Sequence, residues 1–433
     1  MSASPDTPVV ATTVAVAFSG GRDSLALLHA TVRAARALGL NVVALHVHHG
    51  LQAAADDWVR SAIRLCGRWQ RRGWPLRLRW HRLNGSPAAG DSVEAWARRE
   101  RYAALGRMAR EEGASLVLLA QHRQDQAETV LLQALRGAGP RGLAAMPRSI
   151  ERDDMIWARP WLDRSRTAIE SYVRQHRLRA IEDPSNNDPR FARSRLRTSL
   201  WPQLSREFPQ AEVAFAAVAA RAAEAAAVLR ETAHADLRDV GDAHELDVAA
   251  WLALSAPRRA NLLRHWLNAP PDSLVQRLLV ELPQSRHGSW PLDAHRQLRC
   301  YRGRLRIVGE AAAGADALTL DLSAPGQHEV PGWSGAIDVR VVMSGGLAID
   351  DLHEVVLRPR GGGESFQRAP RTPARSLKKQ YQQAGIPPDQ RQAPLLWCRD
   401  RLLFVPGLGI DARAVAAPGT PQRSLRWLVH RSS

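Results

Sequence analysis

The chain has 433 residues, 45% of them hydrophobic and 24% charged, which is enough apolar material for two to three cores. With 60 basic against 43 acidic residues the net charge is +17, which favours a polyanionic partner, nucleic acid before a membrane surface. Cys66, Cys300 and Cys398 lie far apart, which excludes a disulfide framework and leaves no zinc or iron–sulfur spacing.

The first residues, MSASPDTPVVATT, lack a basic stretch followed by an apolar core, and no later run holds eighteen uncharged apolar residues. A soluble, cytoplasmic protein without membrane spans is therefore expected. From Val14 to about Val130 short apolar strands alternate with amphipathic helices: VAVAF, NVVALHV from Asn41 to Val47, PLRLRWHRL near Pro75, and SLVLLA from Ser115 to Ala120. Such alternation predicts an α/β fold, a parallel twisted sheet with helices on both faces. Loops after the strands then share the edge where ligands bind.

The first of these loops is Ser19, Gly20, Gly21, Arg22, Asp23 and Ser24. Two adjacent glycines let the backbone turn sharply and approach an anion, and the following helix adds the positive end of its dipole. On its own such a string also reads as a tight turn with a capped helix. The lysine of a GxxxxGK[ST] loop is missing, so the usual nucleoside-triphosphate cradle is excluded.

Further along, His46, His48 and His49 sit at a strand end with no carboxylate or cysteine at metal-ligand spacing. Glu94, Arg98 and Arg101 fall at i, i+4 and i+7 on one helix face, a solvated stripe or, through the arginine fork, a phosphate or carboxylate clamp. His122 follows a strand, and Asp125 and Glu128 lie three apart on the first turn of a helix, so their carboxylates share a face. Arg193, Arg195 and Arg197 form a basic run after Phe191, suited to a nucleic-acid backbone. Residues 211–238 are alanine-rich with helical spacing, and a small helical region follows. After Arg302 short glycine-rich strands take over, with an exposed turn at RGGGESF, 360–366, and a small mixed C-terminal region. The only lysines, Lys378 and Lys379, fall on a C-terminal helix.

Ser19 to Ser24 resembles the pyrophosphate loop, SGGxDS, of the N-type ATP pyrophosphatases. That resemblance implies an ATP site in which these six residues hold the β and γ phosphates while AMP is transferred and pyrophosphate leaves, with Asp23 as the partner of Mg²⁺. AQHRQDQAETVLLQALRGAGPRGLAAM, 120–146, resembles the long motif of the tRNA(Ile)-lysidine synthetase family. HVHHGL at 46–51, EAWARRERY at 94–102, ARPWLD at 158–163, IEDPSNNDPRFARSRLR at 181–197 and RSLKKQYQQAGIPPDQRQAPLLW at 375–397 resemble the same family.

Membership would imply ATP-dependent ligation of L-lysine to the wobble cytidine of a tRNA(Ile) with a CAU anticodon, through an adenylated cytidine. Asp125, Glu128, Arg98 and His122 then become the catalytic or lysine-binding set, and Arg101, Arg193, Arg195, Lys378 and Lys379 the tRNA contacts. The expected division is a catalytic domain over 1–212, a helical tRNA-binding domain over 213–318 and a C-terminal tRNA-binding domain over 319–433. Gln124 stands where the family commonly has an aspartate, and Ser194 where it often has asparagine. Rival readings are a 2-thiolating enzyme of the same pyrophosphatase group, which would need paired cysteines, and an RNA-binding module without catalysis, which would need no acid pair beside the glycine turn.

Overall fold

The computed structural model describes residues 12–48, 55–85, 93–181, 192–309, 317–333 and 335–429. Two compact units emerge, Met1–Arg230 and Glu231–Ser433. The first is built on strands β1 (Thr13–Ala17), β2 (Asn41–His48), β3 (Leu76–Arg82), β4 (Leu116–Leu118), β5 (Ser149–Arg152) and β6 (Met155–Ala158). They lie in the order β3-β2-β1-β4-β6-β5. Every pairing is parallel except β5 on β6.

Successive residues of the central strands point to opposite faces, and both faces are covered. Val42 and Ala44 pack with Val16, Leu28 and Trp69 under the helices α1 (Arg22–Leu38) and α2 (Ala55–Arg71). Val43 and Leu45 pack instead with Ala15, Leu105, Met108 and Trp157 beneath α3 (Val93–Glu111). Burial on both sides explains why these strands read as near-continuous apolar runs. Helix α1 stops at Gly39, whose φ of 68° is left-handed and costs glycine nothing.

The chain winds from β1 outward through β2 to β3, then crosses back through α3 to place β4 on the other flank of β1. Between β1 and β4 the connections diverge, and the loops at the carboxyl ends of these two strands bound a crevice. The loop after β1 is Ser19 to Ser24, and the loop after β4 runs into α4 (Arg123–Ala134). Short helix α5 (Pro140–Leu143) follows, then β5, β6 and α6 (Arg166–Gln175). One turn of α7 (Ala192–Arg195) continues into a π-helical turn, Leu196–Leu200, and into α8 (Trp201–Glu207).

The expected alanine-rich helix is α9 (Ala211–Val240), 30 residues long. In the second unit, helices α10 (Val248–Ala253), α11 (Ala256–Trp266) and α12 (Asp272–Glu281) close over Trp251, Leu262, Leu263, Val275 and Leu278. The region is not only helical. A four-stranded antiparallel sheet, 245–247, 304–309, 296–301 and 287–291 in spatial order, completes the same core. Its strands begin before residue 302, where the sequence placed the change of pattern. Leu298, Cys300 and Leu305 are buried and alternate with Arg299, Arg304 and Arg306, but each strand is too short for the period to stand out.

Residues beyond 317 form a five-stranded and a four-stranded antiparallel sheet around Leu322, Ile337, Leu357 and Leu403. Helix α13 (Leu377–Gln383) is anchored by Leu377 and Tyr381 against Phe366. The RGGGESF turn is exposed at its three glycines, and Glu364 Oε1 accepts the N–H groups of Gly361 and Gly362 at 2.6 and 2.9 Å. Among the described residues no helix is long and apolar enough to cross a membrane.

Candidate active site between two strand ends

The glycine turn is braced from within and from behind. Ser19 and Ser24 hydroxyls lie 3.0 Å apart, Ser24 Oγ donates to the Gly21 carbonyl at 2.9 Å, and Gly21 N–H donates to Ser19 Oγ at 3.3 Å. Gly20 has φ +89°, and a Cβ there would stand 2.8 Å from Ile181 Cδ1. Its carbonyl accepts the Ile181 N–H at 3.0 Å. No side chain caps α1 at Gly21. Arg22 bonds Asp23 Oδ1 at 2.9 Å and Glu170 Oε1 on α6 at 2.6 Å, so its guanidinium is committed to carboxylates rather than left over for a phosphate.

Across the crevice, His122 precedes α4 and is almost fully buried. Its main-chain N–H donates to Asp125 Oδ2 at 3.1 Å, the reciprocal bond of a helix start. Its Nε2 lies 3.5 Å from Asp125 Oδ2 and 3.7 Å from Asp23 Oδ2. His122 therefore joins the glycine turn to the acid pair. Its Nδ1 is buried without a hydrogen-bond partner.

Asp125 and Glu128 do share a face, and Arg197 binds both. Its Nη2 stands 3.0 Å from Asp125 Oδ1 and 2.7 Å from Glu128 Oε2, and its Nε donates to Glu128 Oε1 at 2.9 Å. Burial alone would lower the Arg197 pKa; the hydrogen bond and charge of Glu128, with Asp125 and Asp23 behind it, overcome that and raise it above the ordinary range. Two expectations change here. Glu128 is 0% exposed and also takes Gln124 Nε2 at 2.9 Å and Arg193 Nε at 3.3 Å, so it is an internal anchor and not an open ammonium site. Arg193, expected on the RNA backbone, turns inward, its Nη2 also reaching Thr129 Oγ1 at 2.7 Å and the Asp125 carbonyl at 3.2 Å.

Asp125 keeps 16% of its side chain exposed and is the reachable carboxylate of the pair. Gln124, where the family commonly carries an aspartate, donates to Glu128 and adds no second buried negative charge. Gln126 completes the rigid start of α4, exchanging two bonds with the main chain of Met146 at 2.9 and 3.0 Å.

Other predicted residues fall elsewhere. Arg98 and Arg101 lie on α3 with guanidinium carbons 5.2 and 5.9 Å from the Tyr102 ring, which packs on Trp157. Arg195, Lys378 and Lys379 are exposed. His46 is buried with Nδ1 2.8 Å from the Phe18 carbonyl, and burial pushes its pKa below the usual histidine range. His48 is buried against Asp56. His49 and residues 182–191 lie outside the described residues. Among the described residues no group of three or more His, Cys, Asp or Glu side chains could hold a metal ion.

The PP-loop domain family matches residues 4–204, the TilS substrate binding domain residues 246–306, and the TilS substrate C-terminal domain residues 355–427. The tRNA(Ile)-lysidine synthase of Ralstonia nicotianae is 42% identical over 424 residues, 93% of this chain and 90% of that protein. The chain belongs to the tRNA(Ile)-lysidine synthase family. Members from Burkholderia mallei and Pseudomonas aeruginosa are 38% and 39% identical, covering 99% and 92% of this chain and 94% and 90% of their own lengths. Among solved structures, a U34-tRNA thiolase from Methanococcus maripaludis with its [4Fe-4S] cluster overlaps 50% of this chain and 74% of its own at 16% identity and a TM-score of 0.41, too distant to bear on the site.

As a PP-loop ligase of this family the protein uses ATP as a substrate, and Ser19 to Ser24 lies within the residues that the PP-loop domain family matches. The inward turn of Arg193 and Arg197 onto the acid pair is what sequence reading missed. The signal available was the spacing of the two arginines, four apart on one helical face, matching Asp125 and Glu128 three apart on another.

Proposed function

We propose that this chain ligates L-lysine to C2 of the wobble cytidine of the CAU anticodon in tRNA(Ile), in the cytoplasm. The observation that carries the reading is the single cluster, bridged by His122, in which the PP-loop and the acid pair of α4 meet between β1 and β4. One strand end suits a pyrophosphate and the other an ammonium, and a two-substrate adenylation needs both.

In the first step the cytidine O2 attacks the α phosphorus of ATP, the bond to the β-phosphate oxygen breaks, and pyrophosphate leaves. In the second, the ε-amine of lysine attacks C2, the C2–O2 bond breaks, and AMP departs with that oxygen. The PP-loop holds the β and γ phosphates through its backbone turn and the first turn of α1. Asp125 holds the lysine ammonium and takes the proton it must lose before attack. Glu128 acts through Arg197 and Arg193 as a positioning residue. His122 fixes the distance between Asp23 and Asp125.

Asp23, a part-exposed carboxylate beside the phosphate loop, fits Mg²⁺, which takes one or two carboxylates and completes its shell with phosphate oxygens and water. When bound, Mg²⁺ would offset charge on the triphosphate. Arg101, Arg195, Lys378 and Lys379, with the overall charge of +17, supply tRNA contacts. The functional division runs as a catalytic region over 1–212, a tRNA-binding region over 213–318 and a second over 319–433.

A thiolating reading is disfavoured by the thiols. Burial pushes Cys66 up to about 12 and raises Cys300, so neither is a ready thiolate, and no two cysteines are near in sequence. The test is incorporation of labelled lysine into a tRNA transcript with a CAU anticodon, with ATP-dependent pyrophosphate release. Pyrophosphate release without lysine incorporation, or incorporation into transcripts with any anticodon, would overturn the reading.

A further inference from the structure

The second unit contains a cavity of about 520 Å³ whose wall includes His287, Arg299, Tyr301, Arg302 and Arg391 and, among the described residues, no carboxylate. The three guanidiniums come from two regions, the four-stranded sheet and the segment after α13. Arg391 donates from Nε and Nη2 to the Ile386 carbonyl at 2.8 and 2.6 Å, and its Cζ stands 5.8 Å from the Tyr301 ring and 5.7 Å from the Tyr381 ring. Arg302 donates to the Gln382 carbonyl at 2.6 Å and lies 5.6 Å from the Tyr301 ring. The His287 ring is 5.2 Å from that of Tyr301. Gly385, at φ +71°, leaves the room Arg302 occupies; a Cβ there would stand 2.7 Å from Arg302 Nη1.

Bonds to main-chain carbonyls aim a guanidinium without cancelling its charge. A joint built only to hold two regions together would close over apolar side chains or pair its cations with acids. This one stays open and concave, with Arg302 and Arg391 held by main-chain carbonyls and two rings in its wall. The geometry points to a binding site for one unpaired RNA nucleotide, its phosphate against the Arg302 and Arg391 guanidiniums and its base against His287 and Tyr301. Base faces are free for such contact only outside a duplex, and a concave pocket of this size excludes a helix. The pocket lies within the ranges matched by the TilS substrate binding and substrate C-terminal domains. It rests on the reading of the chain as a tRNA-modifying enzyme and adds an RNA grip outside the PP-loop unit.

The test uses the full chain and a fluorescent full-length tRNA transcript at fixed salt. A short unpaired RNA oligomer is expected to compete with the transcript at concentrations where a blunt RNA duplex of equal charge does not. His287→Ala with Arg302→Met is expected to weaken transcript binding on the order of tenfold, whereas the same charge loss at Arg36→Ala, on α1, leaves it within about twofold. Photocrosslinking of a thiouridine-bearing oligomer to a peptide containing Tyr301 would place the contact without any substitution. Equal competition by duplex and unpaired RNA, or unchanged affinity in the folded double variant, would overturn the proposal. Transcript binding with these properties but no lysine incorporation would instead sink the proposed reaction and leave the pocket standing.

Discussion

Replacing Arg197 with methionine removes the guanidinium that binds the carboxylates of both Asp125 and Glu128. Glu128 is 0% exposed and would keep only Gln124 at 2.9 Å and Arg193 at 3.3 Å. Leaving a buried carboxylate short of its counter-charge costs about 3–5 kcal/mol. Arg197 is 32% exposed, and water screening at its outer edge brings the expected loss to about 2–3 kcal/mol. For a unit of this size that corresponds to a fall in Tm of roughly 5–10 °C. Calorimetry of the intact chain, with the transition of the first unit assigned by its shift with ATP, reads this directly. Glu128→Gln in the same background removes the stranded charge and is expected to recover on the order of 1 kcal/mol, a coupling that a double-mutant cycle isolates. A loss below about 0.5 kcal/mol, or no recovery in the double variant, would refute the assignment of Glu128 as an anchor held by Arg197.

Asp125→Asn is expected to lower lysine incorporation by about 10²-fold or more if it takes the amine proton, while ATP still binds; equal loss of ATP binding would show that it holds the loop instead. Gly20→Ala must place a side chain at φ +89° against Ile181, so ATP affinity is expected to fall and the unit to lose about 1–2 kcal/mol, measured by calorimetric titration and thermal melting. His29 is buried among Trp69, Trp74, Tyr172 and His176, and burial, with the charges of His176 and Arg33, lowers its pKa to about 4. The unfolded chain therefore binds this proton at higher pH than the folded one, so stability rises with pH between about 4 and 6.5 and is lost as pH falls through that window. His29→Gln should flatten that slope in urea melts, and an unchanged slope would assign it to other groups.

The α/β winding was legible because apolar strands buried on both faces leave little ambiguity, and the Ser19 to Ser24 string stands out wherever it follows a strand. The shared face of Asp125 and Glu128 followed from helical spacing alone. What occupies that face did not. Arg193 and Arg197 follow Glu128 by 65 and 69 residues, and a basic run reads as solvated or RNA-facing until tertiary packing turns it inward. Gln124 looked like a missing ligand; only its 2.9 Å bond to Glu128 shows an amide doing what a third acid there could not. The four-stranded sheet of the second unit was missed for another reason, since its short strands bury only one or two apolar residues each and so show little more than one cycle of the two-residue period.

Every cation recorded at the acid cluster is a guanidinium, and the chain's two ammonium side chains are confined to α13. In the proposed reaction, where a base is activated for attack by a primary amine, a lysine of the enzyme's own beside it would be a competing nucleophile. Guanidinium stays protonated at any physiological pH and offers charge without a reactive lone pair. If the proposed reaction holds, the arginine bias gives this site chemical immunity: Arg193 and Arg197 bind and neutralise the carboxylates of α4 without being captured by an activated cytidine.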